Sequence, residues 1–278
     1  MYLLVYKFGG SSVADAAGLR CAAGQLAEAA AAGFHIIAVV SAQGKTTDRL
    51  LQSTAELTAH PACREADQLL ATGEQASAAL MAMTLQEMGL PAVSLTGWQA
   101  GIHTDGNHAA AEITALHRRR ILRELEAGKI VIVAGFQGVD REGDITTLGR
   151  GGSDTTAVAL AAAFDACGCR ICTDVDGVYD RDPREFPESR RYERIPYDEM
   201  LEMAEGGAKV LHPRSVFLAR AGIFIALQER AMQCVRVHIR QRLCFGHIGQ
   251  SITQRREHGA AAARRALTGA VAAQGRRG

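Results

Sequence analysis

From Thr146 to Thr156 the chain reads TTLGRGGSDTT, a cluster of residue types that bind anions. Gly149, Gly151 and Gly152 let the backbone approach a ligand with no Cβ in the way, and their amides can point at anionic oxygens. Arg150 adds a planar donor fork suited to a carboxylate or a phosphate. Asp154 falls at the start of a small-residue helix expected over Thr155 to Phe164, where the dipole favours negative charge. A glycine-rich turn capped by Ser153 or Asp154 would explain the same letters without any ligand.

Three further stretches carry chemistry. Lys7 closes the apolar run Leu3 to Phe8 and is followed by Gly9, Gly10, Ser11 and Ser12. A lysine there can point into the cleft that the glycines open, as a phosphate clamp distinct from the Gly-x4-Gly-Lys-Ser/Thr loop; it can also be a solvated strand end. SAQGKTTD, Ser41 to Asp48, follows a second apolar run, and open α/β sheets bind ligands at such strand ends. Within it Thr46 is expected to cap the next helix. ATGEQAS, Ala71 to Ser77, places Glu74 on a glycine turn expected to enter an apolar helix. A carboxylate there can hold an ammonium group or cap the helix.

The elements that must position these residues are legible as periodicity. Strands are expected at Leu3 to Phe8, Phe34 to Val40, Ala92 to Leu95, Lys129 to Ala134, Arg170 to Thr173 and Val235 to Ile239. Nearly unbroken apolar runs such as Phe34 to Val40 fit strands buried on both faces. Helices are expected at Asp15 to Ala32, Thr47 to Ala59, Gln75 to Met88, His117 to Ala127 and Pro196 to Glu205. Gly97 to His108 is a polar segment between strands, and DVDGVYDRDPR is a loop. Alternating helices and buried strands indicate an α/β fold, a three-layer αβα sandwich with a mostly parallel central sheet.

Composition narrows the function classes. A net charge of +1 over 278 residues provides no field for nucleic acid or a membrane surface. The balance is uneven: from Gln254 onward six arginines face Glu257, a surplus of +5 that leaves −4 on the remainder. Seven cysteines with irregular spacing form no disulfide framework, and Cys167, Cys169 and Cys172 lack a second ligand pair for a metal. With no signal peptide or membrane-length apolar run, a cytoplasmic location is expected.

KFGGSS, SAQGKTTD, TGE, GFQGV, TTLGRGGSDTT, TDVDGVYDRDPR and GAKVLHPR, in this order, resemble the aspartokinases of the amino acid kinase family. The resemblance covers Tyr2 to Thr253. It implies a catalytic domain over 1–253, with a substrate lobe over about 1–165, a nucleotide lobe over about 166–253 and a basic Ala/Arg/Gly tail over 254–278. It also implies transfer of the γ-phosphoryl group of ATP, with Mg²⁺, to the side-chain carboxylate of L-aspartate. By motif position, Lys7, Asp154 and Lys209 would be catalytic. Ser41, Thr47, Glu74, Phe136, Arg150, Gly152 and Ser153 would bind aspartate. Lys7, Gly9, Gly10, Ser11, Thr173, Asp174, Tyr179, Arg184 and Lys209 would bind the nucleotide. No protein ligand is assigned to the metal, which is expected on the ATP phosphates and water; Asp174 and Asp176 are the only alternative.

A homodimer is expected, and a separate regulatory subunit is possible. Most aspartokinases continue into paired ACT domains; here the chain stops after the catalytic domain with its basic tail, so no inhibition by lysine, threonine or methionine is expected. Two alternatives stand beside this reading: an acyl-phosphate kinase for a related amino acid such as glutamate, and a silent regulatory subunit on the same fold. Retention of Lys7, Glu74, Arg150, Asp154 and Lys209 together argues against the silent subunit. Residues Glu257 to Gly278 show no core periodicity and are expected to be frayed. Their deletion should leave the melting temperature unchanged, a result that a thermal melt of the truncated chain checks directly.

Overall fold

Five of the expected apolar runs, with a sixth segment at Ile225–Glu229, form one parallel sheet, because strands buried on both faces need helices, not solvent, on either side. The computed structural model describes residues 2–173, 177–182, 185–192, 194–206, 211–219 and 225–229. In chain order these residues form β1 (Leu3–Phe8), α1 (Ala16–Ala31), β2 (His35–Val40), α2 (Thr46–Leu57), α3 (Cys63–Glu87), β3 (Ala92–Leu95), β4 (Ile102–Thr104), β5 (Ile113–Leu116) and α4 (Arg119–Glu126). There follow β6 (Ile130–Ala134), β7 (Gln137–Val139), β8 (Ile145–Thr147), α5 (Gly152–Ala163), β9 (Gly168–Thr173), α6 (Tyr197–Glu205), α7 (Pro213–Ala219) and β10 (Ile225–Glu229). The main sheet has the order β10-β9-β1-β2-β6-β3.

Alternation along β1 separates two cores. Leu3 and Val5 pack with Ala157, Val158 and Leu160 of α5 on one face. Leu4, Tyr6 and Phe8 pack with Leu19 and Leu26 of α1 and Met81 and Leu85 of α3 on the other. The period of two therefore turns Lys7 toward the α5 face. In register, Lys7 lies between Val39 of β2 and Ile171 of β9, so its backbone is fixed from both sides. The strand ends continue the ladder briefly, with Ser41 N donating to Phe8 O, Gly135 N to Val40 O and Gly9 N to Cys172 O.

Several expectations change. The helix expected from Gln75 begins at Cys63, so Gly73 and Glu74 lie inside α3 and not on an entry turn. Gly73 is a close-approach glycine: a Cβ there would stand 2.9 Å from Cβ of Ala42. Its helical neighbours Asp67, Ala71, Glu74, Ala78, Met81 and Leu85 form one buried stripe. Neither Ser153 nor Asp154 caps α5, whose N-cap is Gly151 with φ 72°, and Thr46 does not cap α2, which follows Lys45. Part of the polar segment Gly97 to His108 is β4, in a second sheet of order β5-β4-β7-β8 that periodicity did not reveal. The strand expected at Val235 to Ile239 lies outside the described residues, whereas β10 and α7 were not anticipated.

The second sheet joins the body tightly at Gly97, where a Cβ would collide with the Gln137 carbonyl oxygen of β7. Gly97→Ala should therefore destabilise by about 1–3 kcal/mol, as overpacking against rigid backbone does. Gly24, inside α1, has nothing within 4 Å of its hypothetical Cβ. Gly24→Ala should instead stabilise by about 0.5–1 kcal/mol. Denaturant melts of the two variants check both signs.

Candidate active site

The carboxyl ends of β1, β2 and β6 open onto a cavity of about 320 Å³ lined by Lys7, Ser41, Thr47, Glu74, Phe136 and residues 149–154. The convergence follows from topology. The ends of parallel strands lie at one edge of the sheet, and α5 begins at that edge with its amides pointing outward. Lys7 Nζ sits 2.8 Å from Oδ1 of Asp154 in the first turn of α5, with the two side chains 13% and 14% exposed. Gly9 adjoins this pair, since its hypothetical Cβ would lie 3.6 Å from Lys7 Nζ.

The backbone around the pair is unusually crowded. A Cβ on Gly135 would fall 2.8 Å from both Ser153 Oγ and Val39 Cγ1, and one on Gly152 would fall 2.8 Å from the Phe136 ring. Phe136 itself has φ 70°, a left-handed conformation that a bulky residue adopts only when its surroundings hold it there. They do: Leu148 N donates to Phe136 O at 2.9 Å, and Phe136 N donates to Thr156 Oγ1 at 3.2 Å. Backbone strain thus sits in the wall of the cavity.

Glu74 is the second charged feature. It is 4% exposed, and its Oε1 accepts from Ala42 N at 3.0 Å. Oε2 is buried with no hydrogen-bond partner among the described residues. Burial pushes the carboxyl up to about 7, with the Ala42 hydrogen bond opposing the rise. The sign for stability follows from linkage. The native state holds this proton more tightly than an unfolded chain with an ordinary value of 4.5, so stability is lost as pH rises from about 4.5 to about 7. An unpartnered buried oxygen that works against folding marks a place awaiting a hydrogen-bonding cation.

Arg150 stands exposed at the rim and has no hydrogen-bond or ion-pair partner among the described residues. Ser11 is exposed in the turn after β1, Thr173 ends β9, and Tyr179 pairs with Arg191 in an isolated bridge. Asp174, Asp176, Arg184 and Lys209 lie outside the described residues. Of the two carboxylates lining the cavity, Asp154 is paired with Lys7 and Glu74 keeps one oxygen on Ala42 N, so the described lining offers no preformed oxygen cage for a protein-held Mg²⁺.

Two residues outside the cavity went unnoticed in the sequence. Asp67, fully buried, accepts from Thr147 N and Oγ1, from Ala109 N, and contacts His108 Nδ1 at 2.9 Å. Arg214 donates to Leu148 O at 3.1 Å and to Ala111 O at 3.0 Å. The buried stripe of α3 was the available sign for Asp67; Arg214 had none beyond its place in GAKVLHPR.

Known proteins resemble this chain in sequence and fold. A match to the Amino acid kinase family runs over residues 3–226. The aspartokinase of Geobacillus stearothermophilus is 54% identical over 220 residues, which is 79% of this chain and 54% of that protein. Aspartokinase 2 of Bacillus subtilis (strain 168) is 52% identical with the same coverage of each chain. The chain thus spans about half the length of the curated relatives it matches. Among solved structures, aspartate kinase from Synechocystis superposes with a TM-score of 0.73 at 46% identity, covering 82% of this chain and 38% of that one. E. coli aspartokinase III in complex with aspartate and ADP gives 0.73 at 28% identity, covering 82% and 62%. With a family match over residues 3–226, most of its length, the chain belongs to the amino acid kinase family.

Proposed function

We propose that the chain is an aspartate kinase, transferring the γ-phosphoryl group of ATP to the side-chain carboxylate of L-aspartate. The observation that carries this reading is one cavity holding a cation braced at a strand end, a buried carboxylate oxygen and a rim arginine, the last two without partners among the described residues. A dicarboxylic amino acid has the complementary groups. Its ammonium meets Glu74 Oε2, and one carboxylate meets Arg150. Ser41, Thr47, Phe136, Gly152 and Ser153 complete that half of the site. The relatives at about half identity are named aspartokinases, and one solved relative is described with aspartate and ADP bound.

The attacking carboxylate is already ionised at neutral pH, so the chemistry requires no strong base. The barrier is the approach of two anions and the charge spread over the phosphoryl group in flight. Lys7 and the amides of Gly9, Gly10 and Gly152 meet that charge, while Asp154 holds Lys7 in place. Ser11, Thr173, Asp174, Tyr179, Arg184 and Lys209 belong to the nucleotide half of the reading, with Lys209 catalytic from that side. Mg²⁺ would enter with the nucleotide, where it neutralises phosphate charge.

Lys7→Ala should lower kcat far more than it raises KM for aspartate, because its charge counts most in the transition state; initial rates in a coupled ADP-release assay measure the split. Removing the orphaned carboxylate with Glu74→Gln should cost about 2–5 kcal/mol in kcat/KM for aspartate. Arg150, exposed before the ligand arrives, should cost about 1.5–3 kcal/mol when changed to Met, the range for hydrogen bonds to charged groups. The wild-type KM for aspartate should fall as pH rises toward about 7 and level off above it, because Glu74 must be ionised to receive the ammonium. The same proton predicts that Glu74→Gln melts above the wild type at pH 8 but not at pH 5. A flat KM profile between pH 5.5 and pH 8 would remove Glu74 from ammonium binding.

A further inference from the structure

The loop Leu148 to Gly151 carries Arg150 and leads into the first turn of α5, yet few of its own contacts explain its fixed shape. Two of its residues are left-handed, Gly149 with φ 72° and Gly151 with φ 72°. On one flank a Cβ on Gly149 would stand 2.9 Å from the Ala109 carbonyl oxygen, and on the other a Cβ on Gly151 would strike the His212 side chain. The loop is therefore clamped between the Ala109–Ala111 turn and the start of α7, and both clamps are organised by charged side chains that do not line the cavity.

Asp67 fixes the first clamp. Its carboxylate takes both Thr147 donors and Ala109 N, and Ala109 is itself left-handed at φ 67°. Arg214 closes the second. Its guanidinium spans the gap, with one nitrogen on Leu148 O and another on Ala111 O, while its ion pair with Glu112, 72% exposed, adds little. Leu148 and Ala111 are separated by 37 positions in sequence, and the planar fork gives each carbonyl its own nitrogen. A lysine carries the same charge on one nitrogen and lacks a rigid pair of donors held apart at the spacing of the two carbonyls.

We propose that Arg214 is a positioning residue for substrate recognition: by bridging Leu148 O and Ala111 O it holds the 148–151 loop so that Arg150 and the glycine amides face the cavity. The inference rests on the aspartate-kinase reading for its kinetic consequence, but not for its structural one. Arg214 lies two residues past His212, whose ring abuts Gly151, so the start of α7 presses the loop with two consecutive anchors.

The test uses the full chain with Arg214→Met, Arg214→Lys, Arg150→Met and the Arg150→Met/Arg214→Met double variant. Arg214→Met should lower kcat/KM for aspartate about tenfold or more, mostly through KM. Arg214→Lys should recover less than half of that loss on a logarithmic scale. In the Arg150→Met background the second substitution should matter less than twofold, since there is no guanidinium left to place. Hydrogen exchange of the peptide containing residues 148–152 should quicken in both Arg214 variants, a readout that needs no substrate. Full recovery by lysine would make the residue a source of charge only; additive losses in the double variant, or unchanged exchange, would equally overturn the proposal. If the wild type fails to phosphorylate aspartate, the functional reading falls, while the exchange measurement still decides whether Arg214 holds the loop. Should Arg214→Met not fold, Arg214→Lys carries the same kinetic and exchange comparisons.

Discussion

A cation cannot be held near the end of a buried strand without an anion close by, and the Lys7–Asp154 pair meets that need at 2.8 Å. Pairs of this burial contribute little net stability, because desolvation offsets attraction. Their effect is geometric. Lys7 is fixed by β2 and β9 on either side, so the first turn of α5 has to come to it. That approach explains the residues lacking a Cβ at Gly135 and Gly152, the left-handed turn at Gly151 and the small side chains along α5. The cavity is the space left when the helix start and the strand ends are drawn together.

The site contains a balance of opposed terms. Lys7 and Asp154 neutralise each other, and Glu74 is driven toward its neutral form by burial. Among the described lining residues, the charge left without a partner is therefore mainly that of Arg150 at the mouth. On the proposed aspartate-kinase reading, such an arrangement draws an anion to the rim and reserves the interior carboxylate for a cation that arrives with it. A zwitterion with an extra carboxylate satisfies both demands at once.

Much of the main sheet was legible because its strands are apolar on both faces, and the phosphate-type motifs were legible because glycine, lysine and aspartate rarely cluster by chance. The rest was hidden for specific reasons. Gly73 imitates a helix breaker, although it is a glycine because α3 passes against Ala42. Strands of three residues, such as β4, β7 and β8, are shorter than the window in which alternation can be recognised. Asp67 and Arg214 act on backbone groups far away in sequence, so no local pattern announces what they hold, although Asp67 falls on the buried stripe of α3.

The place of β1 in the sheet has a consequence for how the chain acquires its shape. One edge of β1 is covered early, by β2, after a crossover of ordinary length; the other edge waits for β9, which begins at Gly168. Until that segment is available, an apolar parallel strand presents a row of unpaired amides and carbonyls, the kind of edge at which chains adhere to one another. A nascent chain, or a proteolytic fragment ending before Gly168, would carry this adhesive edge together with an unfinished core. Pairing with β9 both flanks Lys7 and covers that edge of β1, and β10 then covers β9, so the open edge of the finished sheet lies two strands away from the lysine.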